Sequence, residues 1–182
     1  MDFVDIDKTL PGGGNLGGIA QFIYFGLWRD VQTWPSPSQS STTDFGDDFN
    51  LSTDIAMKPG KRMYSLYTTE DAAKLDIATI GEEGGKGFQL TLNVYSPGLS
   101  TKLMGFINGV KNEDLVLVAP DNNGQMYILG DALRSAKFST SEGSGTGTTT
   151  EGRRGIGLTF TFTSPHLYQY TGSVPLTTTI VT

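Results

Sequence analysis

The fold of this chain is decided by the alternating stretch Ile156-Gly157-Leu158-Thr159-Phe160-Thr161-Phe162-Thr163. Large apolar residues occupy every second position from Ile156 to Phe162. Gly157 and then threonines occupy the positions between them, which is typical of a strand with one buried and one exposed face. A second stretch, Phe88-Gln89-Leu90-Thr91-Leu92-Asn93-Val94-Tyr95, has the same period. Together the two stretches predict a sheet with an apolar inner face and a polar outer face.

A polar tract precedes the first of these stretches, and we expect it to be the tip of a long β-hairpin spanning residues 136–163. Glycine, serine and threonine dominate the tract from Ser139 to Gly155. Alone, such a tract cannot bury enough apolar surface to offset the entropy lost when it becomes ordered. We therefore expect a neighbouring copy of the chain to order the hairpin, which favours a self-assembling structural protein over an enzyme.

The length and composition indicate one mainly β domain. A chain of 182 residues is long enough for a real core, and its threonine and aromatic residues favour strands. We predict a β-sandwich or barrel with one amphipathic α-helix, a long extended β-hairpin and an N-terminal arm. The arm is expected at residues 1–18, the domain at 19–171 and an exposed C-terminal tail at 172–182.

One helix is predicted at about residues 97–108. Ser96 can cap a helix, Pro97 suits the first helical position, and Gly109 is placed to end it. An apolar stripe along the segment would close one face of the sheet. We expect one core that contains Leu92, Val94, Leu103, Phe106, Leu117, Leu158 and Phe160.

Two short features follow the predicted helix. The run Leu115-Val116-Leu117-Val118-Ala119 is typical of a buried strand. The run Asp121-Asn122-Asn123-Gly124 is typical of a hairpin turn, because Asn and Gly tolerate positive φ angles.

Charge and targeting features limit the classes of function. The net charge of −6 argues against tight binding to nucleic-acid phosphates, and it suits a surface past which DNA slides. The sequence contains no cysteine, so it predicts neither disulfides nor thiolate chemistry. The first residues lack the pattern of a signal peptide, and the apolar stretch from Ile19 to Trp28 is too short to span a bilayer. We expect no membrane insertion.

The residues that usually carry chemistry are sparse. The single histidine, His166, is not accompanied by a nucleophile-elbow sequence. The glycine tract leads into a strand and lacks the Lys-Ser/Thr pair of a phosphate-binding loop. One histidine and no cysteine make a zinc site implausible, and the Asp121 turn has too few carboxylates for calcium. We expect no catalytic residue, no cofactor and no metal.

Several segments resemble the tail proteins of phages and prophages of Bacteroidetes-type bacteria. These are the run from Lys86 to Ser100, the segments Leu115–Val118 and Tyr127–Gly130, and the closing stretch from Glu142 to Thr161. The chain is similar to the major tail tube proteins over roughly Gly18 to Tyr170 in layout. The resemblance implies a β-sandwich with one helix, hexameric rings stacked into a tube, and a lumen built from long hairpins.

The same resemblance implies the partners and the location. The chain would bind itself and other tail proteins, namely the tape measure, the terminator, the baseplate and, in some tails, a sheath. It would reside in the virion after assembly in the cytoplasm of the host bacterium, and DNA would pass without tight binding. The ring symmetry and the contractility of the tail stay open.

In such a tube, we expect two sets of functional residues. Apolar anchors, flexible glycines and an arginine pair would form the subunit interface, and acidic and hydroxyl side chains of the hairpin tip would face the lumen. The interface set is Phe3, Val4, Ile6, Gly143, Gly145, Gly147, Arg153 and Arg154; the lumen set is Glu142, Thr146, Thr148, Thr149, Thr150 and Glu151.

Two alternatives remain. The chain could be another virion component, such as a tail terminator, an adaptor or a head decoration protein. It could instead be a carbohydrate-binding β-sandwich, with Trp28, Trp34 and tyrosines forming a stacking platform.

Overall fold

The computed structural model describes residues 16–37, 47–140, 144–146 and 154–177. These residues form a mainly β fold with several sheets and one α-helix, which confirms the predicted fold class. In chain order the strands are β1 Phe22–Leu27, β2 Val31–Thr33, β3 Asn50–Leu51, β4 Ala56–Met57, β5 Tyr64–Tyr67, β6 Lys74–Ile80, β7 Gly87–Pro97, β8 Leu115–Pro120, β9 Met126–Leu129, β10 Lys137–Thr140, β11 Gly155–Ser164 and β12 Gln169–Tyr170, and the helix α1 is Thr101–Val110.

The described strands form three sheets. A six-stranded sheet has the order β3-β12-β9-β8-β1-β5, a four-stranded sheet has the order β10-β11-β7-β6, and β2 pairs with β4. Apolar side chains from the two large sheets meet in one core, so these sheets face each other as a sandwich. A second core lies on the opposite face of the six-stranded sheet, where Val31 of β2 and Met57 of β4 cover it.

Strand β8 is buried on both faces. Leu115 and Leu117 belong to the core between the large sheets, whereas Val116 and Val118 belong to the second core. The sequence of a strand that is covered on both faces is typically a continuous run of apolar residues, without alternation of apolar and polar positions. This burial confirms the strand predicted at Leu115–Ala119.

Strands β7 and β11 form the centre of the four-stranded sheet. They pair antiparallel from Gly155 opposite Pro97 to Ser164 opposite Phe88. The predicted core is confirmed, because its residues lie in one cluster, with Phe106 partly buried against it; the fully or largely buried members are Leu92, Val94, Leu103, Leu117, Leu158 and Phe160.

Helix α1 begins later than the sequence predicted. Ser96 and Pro97 belong to β7, because β11 pairs with them across the sheet. Gly98 then turns the chain with a φ of 79°. Ser100 caps the helix, and its side-chain oxygen accepts a hydrogen bond from the Leu103 N–H at 3.2 Å.

The predicted hairpin is present, but its body lies inside the domain. Strand β10 pairs with β11 from Lys137 opposite Thr161 to Thr140 opposite Leu158. Because β11 also pairs with β7 over its whole length, the hairpin body is stabilised within one copy of the chain. The expectation that it needs a neighbouring copy is therefore wrong for the strand pair.

The described part of the C-terminal tail lies against the domain instead of extending from it. The Ser173 N–H donates to a carboxylate oxygen of Asp54 at 2.6 Å. The Met63 N–H donates to the Pro175 carbonyl at 2.8 Å, next to the start of β5.

Candidate assembly surface

Within the part of the chain that the structure describes, the four-stranded sheet has two open edges. Among the described residues, neither β6 nor β10 pairs with a second strand. An open edge presents a row of unpaired N–H and C=O groups, which is a template for pairing with another chain. The sequence predicted the hairpin that contains β10, but it did not indicate which strands would lie at the edges of the sheet.

The backbone groups on the free side of β6 can be assigned. The Ala73 carbonyl accepts a hydrogen bond from the Ile19 N–H, on the side away from β7. Because residues of a strand direct their backbone groups alternately to the two sides, Leu75, Ile77 and Thr79 direct theirs to the open side. The Ile77 side chain is 48% exposed, although its neighbours across the sheet, Leu90 and Phe162, are buried apolar residues.

Strand β10 follows the same pattern at the opposite edge. Ala136 exchanges two backbone hydrogen bonds with Leu115 of β8, at 2.8 and 3.1 Å. The alternation therefore directs the backbone groups of Phe138 and Thr140 to the open side. Each edge strand is thus tied to the domain through the residue just before it, and beyond that residue no other described strand pairs with it.

The outer face of the four-stranded sheet is polar and neutralises its own charge. The Thr159 hydroxyl donates to the Asn93 side-chain oxygen at 2.8 Å, and the Asn93 amide donates to Asp76 at 3.3 Å. The Lys74 ammonium lies 2.8 Å from the same Asp76 carboxylate. These contacts link β11, β7 and β6 across the face.

An ionic contact lies beside the open edge of β10. The Asp114 carboxylate accepts hydrogen bonds from the Lys137 ammonium and from the Ser135 hydroxyl, the latter at 2.9 Å. The hydrogen bond from Lys137, followed by the one from Ser135, holds the pKa of Asp114 below its ordinary value of 3.8. The cation of β10 is therefore satisfied within one copy.

The described part of the hairpin tip is held by backbone contacts. Gly145 and Gly155 exchange hydrogen bonds at 2.9 and 3.1 Å, and the Gly157 N–H donates to the Ser144 hydroxyl at 3.0 Å. A Cβ atom on Gly155 would lie 2.6 Å from the Tyr95 hydroxyl, so a side chain there would force a shift.

Only some of the predicted interface and lumen residues can be located. Gly145 lies in this bridge, Thr146 is exposed just beyond it, and the exposed Arg154 accepts a backbone hydrogen bond from Gly98. The others lie outside the described residues, namely Phe3, Val4, Ile6, Glu142, Gly143, Gly147, Thr148, Thr149, Thr150, Glu151 and Arg153.

The root of the N-terminal arm is clamped by the turn between β8 and β9. The Asn123 side chain accepts a hydrogen bond from the Leu16 N–H at 2.9 Å and donates to the Leu16 carbonyl at 2.8 Å. The Asn122 amide donates to the Gly17 carbonyl at 2.7 Å. The sequence predicted this turn but gave no indication that its side chains bind the arm.

An apolar cavity of about 300 Å³ lies at the other end of β9. Its lining includes Trp34, Ile128, Leu133 and Tyr168. Leu133 is 88% exposed, although the Asp131 carboxylate fixes its loop by accepting hydrogen bonds from the Leu133 and Arg134 N–H groups, both at 2.7 Å. Sequence analysis made no prediction for this loop, because a single leucine among polar residues has no periodicity.

The tryptophans do not form a flat exposed platform. Trp28 and Trp34 are both half-buried, and their rings are tilted by 41° with centroids 6.1 Å apart. The Trp28 indole N–H donates to the Asp131 carbonyl at 2.7 Å. They support the loop that carries Leu133.

His166 lies among aromatic rings. Its ring centroid is 5.6 Å from that of Phe49 and 5.9 Å from that of Tyr168. In the described part of the chain, no group of three or more His, Cys, Asp or Glu side chains is placed to hold a metal ion. No helix in that part is long and apolar enough to cross a bilayer.

Comparison with protein-family models, with curated proteins and with solved structures gives no match for this chain.

Proposed function

We propose that this chain is a structural subunit that assembles into stacked rings and forms the tube of a phage tail, through which DNA passes. The observation that supports the proposal is the four-stranded sheet, with its polar outer face and its two edges, which no further described strand pairs with. The sequence resemblance to major tail tube proteins adds to this support.

The two open edges suit a ring. Pairing β6 of one copy with β10 of the next would satisfy both rows of backbone groups. The two edges differ in sequence, so the contact is heterologous, and a heterologous contact closes into a ring when the rotation between copies allows it. The ring would contain one continuous sheet.

The size of such a ring suits a DNA conduit. Six copies, the number that the resemblance implies, would contribute four strands each. A closed sheet of about 24 strands, spaced by about 4.8 Å and tilted by about 40°, has a backbone radius of roughly 24 Å. After side chains are allowed for, the lumen would still be wider than a DNA double helix.

The outer face of the four-stranded sheet suits the lining of that lumen. Lys74 is paired with Asp76, and Thr159 and Asn93 are hydrogen-bonded to each other, so the face offers no cluster of free cations among the described residues. Each cation that meets a phosphate would release counterions and retain the DNA. A neutral hydroxyl-rich face lets DNA slide.

Negative-stain microscopy of the purified protein tests the proposal, with an edge variant to identify the contact. Thr79→Pro removes an N–H that points to the open side of β6, so it should block ring formation and leave the β6–β7 pairing intact. Thr79→Ala is the matched control, because it keeps the N–H.

We expect tubes from the wild-type protein and from Thr79→Ala, and folded monomers from Thr79→Pro. Rings that never stack would instead favour a terminator or an adaptor. If the wild-type protein stays monomeric at every concentration, the proposal is overturned. If the proline variant forms tubes, the proposed contact between β6 and β10 is overturned.

A further inference from the structure

We propose that the N-terminal arm of one copy docks in the apolar cavity beside Leu133 of a second copy, with Phe3 as its anchor. We call this cavity the Leu133 cavity; it is lined by Trp34, Ile128, Leu133 and Tyr168 among others. The inference rests on the proposed function, since it names the contact between stacked copies.

The arm leaves the domain at a defined place and in a defined direction. Ile19 forms a bridge with Asp121, and the chain before it runs along the turn to Leu16, which Asn123 holds by two hydrogen bonds. The arm therefore emerges at the tip of the β8–β9 turn, beyond the end of the sheet. Residues 1–15 precede this point and lie outside the described part of the chain.

The clamp and the Leu133 cavity lie at opposite ends of β9. The turn that holds Leu16 precedes Met126, whereas Gly130 and Asp131, which line the cavity, follow Leu129. When copies stack head to tail, the end that emits the arm faces the end that carries the cavity. An arm of 15 residues can extend to about 50 Å. This length is more than the arm needs to reach from Leu16 of one copy to the Leu133 cavity of a copy in contact with it.

The cavity matches the apolar part of the arm. Its volume of about 300 Å³ and its aromatic and aliphatic lining suit one or two large apolar side chains. The arm offers Phe3, Val4 and Ile6, with aspartates at positions 2, 5 and 7. Phe3 is the largest of the three and gains most from burial.

A depression next to the cavity matches the charge of the arm, whereas the charged residue in the lining of the cavity itself is Asp131. Ser164 and Pro165 line both the Leu133 cavity and the neighbouring depression, and Arg134 and Lys86 line the depression. Neither cation forms a salt bridge with a described residue. The aspartates of a docked arm would meet these cations, and the pairing would fix the register of the arm.

Disulfide trapping tests the contact directly, because the chain has no cysteine of its own. One protein carries Asp2→Cys, which keeps the Phe3 anchor, and a second carries Ala132→Cys, at an exposed position in the lining of the cavity. Mixing the two under mild oxidation should give a mixed dimer on a non-reducing gel, since the cysteines lie on different copies. Lys111→Cys, at the end of α1, replaces Ala132→Cys in the control mixture.

We expect the mixed dimer to form with Ala132→Cys and at most a trace with Lys111→Cys. Equal trapping at both positions, or none at either, would overturn the docking. So would trapping that occurs only within single chains that carry both Asp2→Cys and Ala132→Cys. If wild-type tubes form without this trapping, the docking proposal is wrong and the tube proposal stands. If trapping occurs but tubes never form, the docking proposal stands and the tube proposal is wrong.

A second measurement compares assembly of full-length variants. Phe3→Ala should raise the protein concentration needed for stacking by about 10- to 100-fold, the equivalent of burying one large apolar side chain. Leu133→Ser should have a similar effect, while Met104→Ser, which alters an exposed residue of α1, should have none. Unchanged stacking of both Phe3→Ala and Leu133→Ser would contradict the proposal.

Discussion

The Thr159 hydroxyl donates a hydrogen bond to the Asn93 side-chain oxygen at 2.8 Å, across neighbouring strands on the outer face of the four-stranded sheet. The Asn93 side-chain amide in turn donates a hydrogen bond to Asp76 of the edge strand β6. A single amide thus connects the centre of the sheet to the edge that we propose as a subunit contact.

Replacing that amide should loosen the edge. Asn93→Ala removes two side-chain hydrogen bonds and should lower the free energy of unfolding by about 1–2 kcal/mol. Gln89→Ala is the matched control, since Gln89 lies on the same strand and face without a side-chain hydrogen bond to a described residue. Urea unfolding measures both, and equal losses would show that the network contributes nothing specific.

If the outer face lines a lumen as we propose, adding a cation to it should make it bind DNA. Thr91→Lys places one ammonium per copy on this face, so assembled tubes should retard DNA at low salt and release it as salt rises. Wild-type tubes and Thr91→Gln tubes should not retard DNA. Retardation by wild-type tubes would contradict both the lumen assignment and its electrostatic reason.

The core between the two large sheets should depend strongly on Phe160. This ring is fully buried between β10 and β7, so Phe160→Ala should cost about 3–5 kcal/mol in denaturant unfolding. Thr163→Ala, at an exposed position of the same strand, should cost little. A loss below about 1 kcal/mol for the phenylalanine would mean that the surrounding side chains close the cavity.

The hydroxyl of Tyr170 should stabilise the C-terminal segment. It accepts a hydrogen bond from the Ile55 N–H at 3.0 Å and donates to the Ser173 carbonyl at 2.6 Å. Tyr170→Phe leaves the buried Ile55 N–H without a partner, which should cost about 1–3 kcal/mol. Thermal unfolding compares it with Tyr168→Phe, whose lost hydroxyl makes no hydrogen bond to a described residue and should matter little.

The contact of Asp114 with Lys137 should give a pH-dependent contribution. The folded state lowers the pKa of this carboxyl from 3.8, so its contribution is fully present above that value and is lost as the pH falls through the lower folded value. Asp114→Asn should therefore be less stable than wild type at pH 6 and equal to it at strongly acidic pH. A difference that persists unchanged in acid would assign the effect to packing.

The sequence predicted the core well because its pattern is local. The alternation of Leu158, Phe160 and Phe162 with threonines specifies which side chains face inward, whatever strand lies beside them. The start of α1 was predicted wrongly because Ser96 and Pro97 match the pattern of a helix start. In the structure both residues pair with β11, which is distant in sequence, and therefore belong to a strand. Pairing between distant segments overrides such local preferences.

The candidate surfaces were harder to predict for the same reason. Asn123 and Leu16 meet only because the β8–β9 turn lies beside the root of the arm. The exposure of Leu133 depends on the hydrogen bonds that Asp131 makes within its loop. Neither relation leaves a periodic signature in the sequence.

The burial of β8 on both faces separates the timescales on which parts of this domain open. Strand β8 lies between β1 and β9, and its side chains pack in both cores, so the amides of Val116 and Val118 should exchange mainly through global unfolding. Amides along β6 and β10 lie at the rim and can exchange through local fraying. The edges of the four-stranded sheet should therefore open and re-form while the centre stays folded, and the partner strand that we propose would be acquired without unfolding of the whole chain.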